Sequence, residues 1–251
     1  MDGVVVISGG GTGIGAAIAR AVAEDGGHAL IIGRRDDKLR ITADAIAADC
    51  GEGHASWAQA DLSVPEEVER LAATVRESHG TILGIVNNAG GDSQDPGESF
   101  VELKDYWQRT YDQNVVTAVL LTAALGPMLR RPGGRIVNIG SMAIKFGVGR
   151  PAYVAAKGAL NAWTLSLGYQ YAKDGIASNA VLPGYTPDTE FFGEGSKPTL
   201  PPGFAERFPF GRAGTPEDVS GIVRYLLSPE ASYVTGQIIE VAGGVVPPGY
   251  S

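Results

Sequence analysis

The sequence predicts a doubly wound α/β domain, a parallel sheet covered by helices on both faces. Three observations carry this. Short β-branched runs alternate with longer segments of helical spacing along the chain. Glycine is abundant, 36 of 251 residues, and falls at the ends of apolar runs, where strands must turn tightly into helices. The first run, GVVVIS (3–8), passes through SGGGTGIG (8–15) directly into the helical segment AAIARAVAED.

Composition narrows the possibilities. The chain is 44% hydrophobic and 19% charged, enough for one large domain spanning 1–251. A net charge of −8 argues against nucleic acid or an anionic membrane as a main partner. Cys50 is the single cysteine, so no internal disulfide forms. No apolar run reaches membrane-spanning length and MDGVVVISGG lacks a basic leader, so a soluble cytoplasmic protein is expected. No His/Cys cluster suggests a metal site, and His28, His54 and His79 receive no role.

The glycine turn after the first strand suits a dinucleotide. Amides at a helix start face a pyrophosphate, and glycines let it approach. The spacing is Gly9, Gly13, Gly15, with Gly11, Thr12 and Ile14 between them. The second strand, HALII (28–32), ends in Gly33-Arg34-Arg35, about 20 residues past the turn, where an acidic residue commonly holds the ribose of NAD. Two guanidiniums there favour a 2′-phosphate, hence NADP(H), with NAD(H) as the alternative. Asp36 and Asp37 are assigned to the first turn of the next helix.

HASWAQA is a third strand, followed by Asp61-Leu62 at the edge where an adenine would lie. Ser63-Val64-Pro65-Glu66 matches a capping box for a helix ending near His79. ILGIV (82–86) is the fourth strand and leads into Asn87-Asn88-Ala89-Gly90. A long helix is expected from about Lys104 to Arg130, then the strand RIVNIGS, a helix from Ala152 to Lys173, the strand SNAVL, a helix capped by Thr215, and a last strand in QIIEVAGG. That makes seven parallel strands.

Tyr153 and Lys157 sit four apart in YVAAK, on one face of the helix that Pro151 opens. Alone such a pair is more often a surface contact. Here an ammonium beside a phenol would draw its pKa, near ~10 when free, toward neutrality, and Ser141 offers a hydroxyl on the preceding loop. The group reads as a proton-transfer site for a carbonyl or alcohol.

These motifs, with Asn114 in DQNVVTAVLL and Pro183-Gly184 after SNAVL, resemble the single-domain branch of the short-chain dehydrogenase/reductase family over nearly the whole chain. The resemblance implies a Rossmann-like three-layer sandwich and a catalytic tetrad of Asn114, Ser141, Tyr153 and Lys157. Tyr153 would be the acid or base and Lys157 would lower its pKa and hold the nicotinamide ribose. Ser141 would bind the carbonyl oxygen, and Asn114 would hold a water in a proton relay. Asn87, Asn88, Ala89 and Gly90 would line the cofactor. Ser8 stands where Thr is usual, and Thr12 where many NADP-dependent members carry a basic residue, which leaves Arg34 and Arg35 to meet the phosphate. Five residues past Pro183, where a Thr often meets the carboxamide, stands Asp188, so Thr189 is preferred for that task and Thr186 placed second.

The resemblance further implies a substrate flap at about 185–212, walled by Phe191, Phe192, Phe204 and Phe208. AIKFGVGR (143–150) would form the opposite wall, with Lys145 and Arg150 facing either an anionic substrate or, as preferred, solvent. Trp107, Tyr111 and Trp163 are read as core or interface packing. A homodimer or homotetramer is expected, acting on ketones such as 3-oxoacyl thioesters. The competing reading is a catalytically silent cofactor sensor of the same fold.

Overall fold

The computed structural model describes residues 1–92, 97–147, 149–187, 189 and 208–245. Seven strands form one sheet: β1 (Val4–Ser8), β2 (His28–Gly33), β3 (Ala55–Gln59), β4 (Gly84–Asn87), β5 (Arg135–Ile139), β6 (Ala177–Pro183) and β7 (Ile238–Val241). The order is β3-β2-β1-β4-β5-β6-β7, and every pairing is parallel. The order reverses between β1 and β4, and a crevice opens there at the carboxyl ends of the strands.

Helices cover both faces: α1 (Gly13–Glu24), α2 (Asp36–Cys50), α3 (Pro65–His79), α4 (Phe100–Tyr111), α5 (Thr117–Leu125), the short α6 (Ala143–Phe146), α7 (Pro151–Ala172) and α8 (Pro216–Leu227). Side chains alternate across a strand, so β1 sends Val5 and Ile7 to one core and Val6 to the other. The first core joins Ile18 and Val22 of α1, Leu39 and Ile46 of α2, and Val219 and Val223 of α8. The second joins Leu71 and Val75 of α3, Leu121 and Leu125 of α5, and Leu167 of α7. Burial on both faces explains why the strands read as continuous apolar runs. Among the described residues, no helix is long and apolar enough to cross a membrane.

Two local expectations need correction. The Ser63–Glu66 capping box does not form. Pro65 opens α3 behind Val64, while the Ser63 amide and hydroxyl both donate to Asp61 Oδ1, at 3.0 and 2.6 Å. Glu67, not Glu66, reaches back, accepting from the Asp61 amide at 2.8 Å. A capping box instead starts α4, where Ser99 and Glu102 exchange bonds, and Thr215 caps α8 as expected, with Asp218 as its reciprocal partner.

The expected helix from Lys104 to Arg130 begins earlier, at Phe100, and is broken. A π turn occupies Asp112–Val116, and a 3₁₀ turn at Gly126–Met128 ends it where Pro127 has no amide to give. Asn114 lies in the π turn and donates from Nδ2 to the carbonyls of Thr110 (2.8 Å) and Gly91 (2.7 Å). Such turns widen a helix locally and often mark functional positions.

Candidate active site

A cleft of about 1840 Å³ runs along the carboxyl edge of the sheet. It exceeds the roughly 300–1,000 Å³ of a pocket for one drug-sized ligand, so it has room for a dinucleotide and a second small molecule. Its floor is the glycine turn. Gly9 (φ 64°) and Gly13 (φ 53°) hold the left-handed conformation that glycine adopts without strain. Thr12 precedes α1 without capping it, and the first turn of α1 carries no acidic residue, so nothing anionic competes for its amides. Gly9, Gly11, Thr12, Gly13 and Ile14 all line the cleft. Gly15 does not. A Cβ there would stand 2.1 Å from the Gly9 carbonyl oxygen, so Gly15 is needed for close packing within the turn.

At the adenosine end, Arg34, Arg35, Asp61 and Leu62 line the cleft. So does Lys38, in the first turn of α2, which sequence reasoning missed although it follows Arg35 by three residues. Asp36 and Asp37 occupy the first turn of α2 and are not among the lining residues. The Ser63 hydroxyl holds the Asp61 carboxyl below its usual range, with Arg34 contributing a smaller part.

Ser8 ties β1 to the end of β4. Its hydroxyl accepts from the amides of Asn88 and Ala89, both at 2.9 Å. Asn88, Ala89 and Gly90 line the cleft as expected. Asn87 does not. It is buried, donating to Thr122 Oγ1 (2.9 Å) and Asn138 Oδ1 (2.8 Å), and Asn138 in turn donates to Thr164 Oγ1 at 2.8 Å. This network bonds β4 and β5 to the helices behind the site.

The four expected catalytic residues converge. Tyr153 is in the first turn of α7, Lys157 one turn on, and Ser141 follows β5. The Ser141 hydroxyl hydrogen-bonds the Tyr153 phenol. Lys157 Nζ lies 5.8 Å from the Tyr153 ring centroid and donates to the Ile139 carbonyl at 2.9 Å. Asn114 is fully buried and accepts at Oδ1 from the Gly91 amide at 3.2 Å. A Cβ on Gly90 would lie 2.6 Å from Asn114 Oδ1 and 3.0 Å from Lys157 Nζ, so Gly90 is where these two side chains meet.

Electrostatics in the ligand-free chain run against one expectation. Burial pushes the Tyr153 phenol up to about 12; Ser141 pulls the other way, and the Asp92 carboxylate adds to the rise. Burial also pulls the Lys157 ammonium down to about 8. Lys157 therefore does not bring the phenol toward neutrality here. Its ammonium is aimed at a backbone carbonyl, and desolvation of both groups outweighs their proximity.

At the far end of the cleft, Pro183, Gly184, Thr186 and Thr189 line the wall. The Thr189 side chain lies against Gly13, at 3.2 Å from where a Cβ would be, and Thr186 is almost buried, donating to the Gly184 carbonyl at 3.3 Å. Phe208 is buried beside Tyr185, their ring centroids 6.2 Å apart, and both face the cleft. Phe191, Phe192, Phe204 and Asp188 lie outside the described residues, as does most of the 185–212 segment. Opposite stand Ala143, Phe146 and Gly149. Lys145 and Arg150 are both exposed, as expected, and each also forms an ion pair, Lys145 with Glu240 and Arg150 with Asp92. Trp107, Tyr111 and Trp163 are absent from the cleft, as expected.

The sequence matches a family model described as enoyl-(acyl carrier protein) reductase over residues 9–246. The chain belongs to the short-chain dehydrogenase/reductase family. It is 31% identical to the short-chain reductase protein NovJ of Streptomyces niveus, covering 97% of this chain and 94% of the relative. It is 33% identical to a 3-oxoacyl-[acyl-carrier-protein] reductase of Synechocystis, covering 97% and 96%. Among solved structures, an actinorhodin polyketide ketoreductase crystallised with NADPH matches with a TM-score of 0.82 at 30% identity, covering 97% of both chains. As a short-chain dehydrogenase/reductase the chain is an oxidoreductase, of a family that uses NAD(P) cofactors.

Proposed function

We propose that this short-chain dehydrogenase/reductase is an NADP(H)-dependent ketone reductase, interconverting a carbonyl and a secondary alcohol. The observation that carries the reading is the convergence of Ser141, Tyr153, Lys157 and Asn114 beside the glycine-turn cleft. A bound nicotinamide supplies or accepts the hydride. The chain's own residues handle orientation and the proton. Ser141 and Tyr153 offer two hydroxyls to one carbonyl oxygen, stabilising the charge that develops there. Tyr153 then gives its proton to that oxygen, or takes it back in oxidation. Burial pushes the phenol up to about 12, so it holds the proton that reduction requires of it at neutral pH. Lys157 and Asn114, meeting at Gly90, would carry the replacement proton inward.

Arg34, Arg35 and Lys38 at the adenosine end support NADP(H) over NAD(H). Phe146, Tyr185 and Phe208 support a partly apolar substrate, and the Synechocystis relative makes 3-oxoacyl thioesters the first to try. Exposed Phe100, Leu165 and Tyr169 on α4 and α7 favour a homodimer or homotetramer through that face. The test is a panel of ketones, including 3-oxoacyl thioesters, with NADPH and NADH, comparing wild type with Tyr153→Phe. Turnover of at least one ketone that falls by about a hundredfold or more in the variant is expected. Tight NADP(H) binding with no turnover of any ketone or alcohol would replace this reading with a cofactor-binding module.

A further inference from the structure

Asp92 lines the cleft and forms an ion pair with Arg150 that the hydride-transfer reading does not use. Asp92 follows the Asn87–Gly90 turn, and its Oδ2 lies 3.6 Å from Nε of Arg150. Arg150 is the residue from which α7 starts, and Tyr153 stands three positions on, still in the first turn. The pair therefore joins the loop after β4 to the turn that presents the phenol.

Asp92 is the more enclosed partner, its side chain 19% exposed against 45% for Arg150. The groups around its carboxylate come from two further elements: Arg150 and Tyr153 at the start of α7, and Tyr106 on α4. Lys157, Arg109 and Asp112 line the same cleft. Burial pushes the Asp92 carboxyl up, and Arg150 and then Tyr106 act against this. The carboxylate in turn raises the proton affinity of Tyr153. A negative charge near a phenol disfavours the phenolate, and a guanidinium paired with that charge offsets it.

We propose that Asp92 is a positioning residue for proton transfer: paired with Arg150, it fixes the first turn of α7 and sets the electrostatic field at the Tyr153 hydroxyl. This rests on the reading of Tyr153 as the proton carrier. It adds a tuning element of opposite charges, whose two members act on the phenol in opposite directions. Asp92 keeps the phenol protonated, and Arg150 limits how firmly.

The test reads Tyr153 directly, so that it does not depend on turnover. Chain labelled with ¹³Cζ-tyrosine is titrated by NMR from pH 8 upward as far as the chain stays folded, and the phenolate fraction of Tyr153 at each pH is compared between variants, the Tyr153 signal being assigned by its loss in Tyr153→Phe. Asp92→Asn is expected to lower the Tyr153 midpoint by on the order of one pH unit. Arg150→Gln is expected to raise it, leaving the phenol protonated where wild type is half titrated. Asp92→Glu keeps the charge and should leave the midpoint close to wild type, which covers the case in which Asp92→Asn fails to fold. Where a substrate is known, the pH profile of kcat/KM for alcohol oxidation should move in the same two directions. Midpoints that do not move, or that move the same way in Asp92→Asn and Arg150→Gln, would overturn the proposal. Midpoints that move as expected in a chain with no turnover would leave it standing and count only against the ketone-reductase reading.

Discussion

Lys157→Met should make the ligand-free chain more stable at neutral pH while removing its turnover. Lys157 is 4% exposed and its ammonium is held near a pKa of about 8, against an ordinary 10.5. At about 1.4 kcal/mol per pH unit, keeping the charge buried at pH 7 costs roughly 3 kcal/mol. Methionine fills a similar volume without the charge. It leaves the Ile139 carbonyl without the Lys157 bond of 2.9 Å, which returns about 1 kcal/mol. A net gain of about 2 kcal/mol is expected at pH 7.

The sign follows from proton counting. Because the folded pKa lies below the unfolded one, the unfolded chain binds more protons between about pH 8 and 10.5. Wild-type stability therefore rises through that window relative to the variant. The advantage of Lys157→Met should be full below pH 8 and reversed near pH 10.5, where only the lost hydrogen bond, about 1 kcal/mol, remains. Urea unfolding of both proteins without cofactor, at several pH values from 7 to 10.5, measures it. A variant less stable than wild type at pH 7, or a difference that does not change with pH, would refute the argument that desolvation dominates at this lysine.

Two further outcomes follow from the geometry. Arg34→Ala should weaken NADPH binding by about tenfold, the worth of one charge-assisted contact, while changing NADH binding by less than about threefold; fluorescence titration of both cofactors measures this, and equal losses would defeat the phosphate-pairing argument. Gly90→Ala places a Cβ 2.6 Å from Asn114 Oδ1 and 3.0 Å from Lys157 Nζ, so kcat should fall by roughly a hundredfold through displacement of these groups. Unchanged steady-state rates in that variant would show that the meeting of Asn114 and Lys157 at Gly90 has no part in the reaction.

The fold was legible because doubly buried strands and glycine turns leave strong local signals. GVVVIS, HALII and RIVNI read as strands from their β-branched content alone, and all three are strands in the structure. The Tyr153–Lys157 spacing was legible for the same reason: one helix turn is a local property. What the sequence hid is set by contacts between distant segments. The π turn at Asp112–Val116 keeps helical periodicity, and Asn114, which lies in it, is bonded to Gly91, 23 residues away. Asp92 carries no motif, and its partner Arg150 comes from a different loop. The raised Tyr153 pKa was missed because spacing reveals the neighbouring charge but not the burial of both groups. The Ser63–Glu66 pattern misled because Asp61, two residues before Ser63, takes both of its donors.

The central claim is that the chain moves a hydride between a nicotinamide and a carbonyl carbon, with the proton supplied from within the cleft. Reduction of a panel ketone with C4-deuterated NADPH, followed by mass spectrometry of the product alcohol, tests it most directly. One deuterium on the carbinol carbon, with its hydroxyl hydrogen drawn from solvent, is the predicted result. Alcohol formed without deuterium from either face of the labelled cofactor, or no alcohol from any ketone while NADPH stays bound, would contradict it.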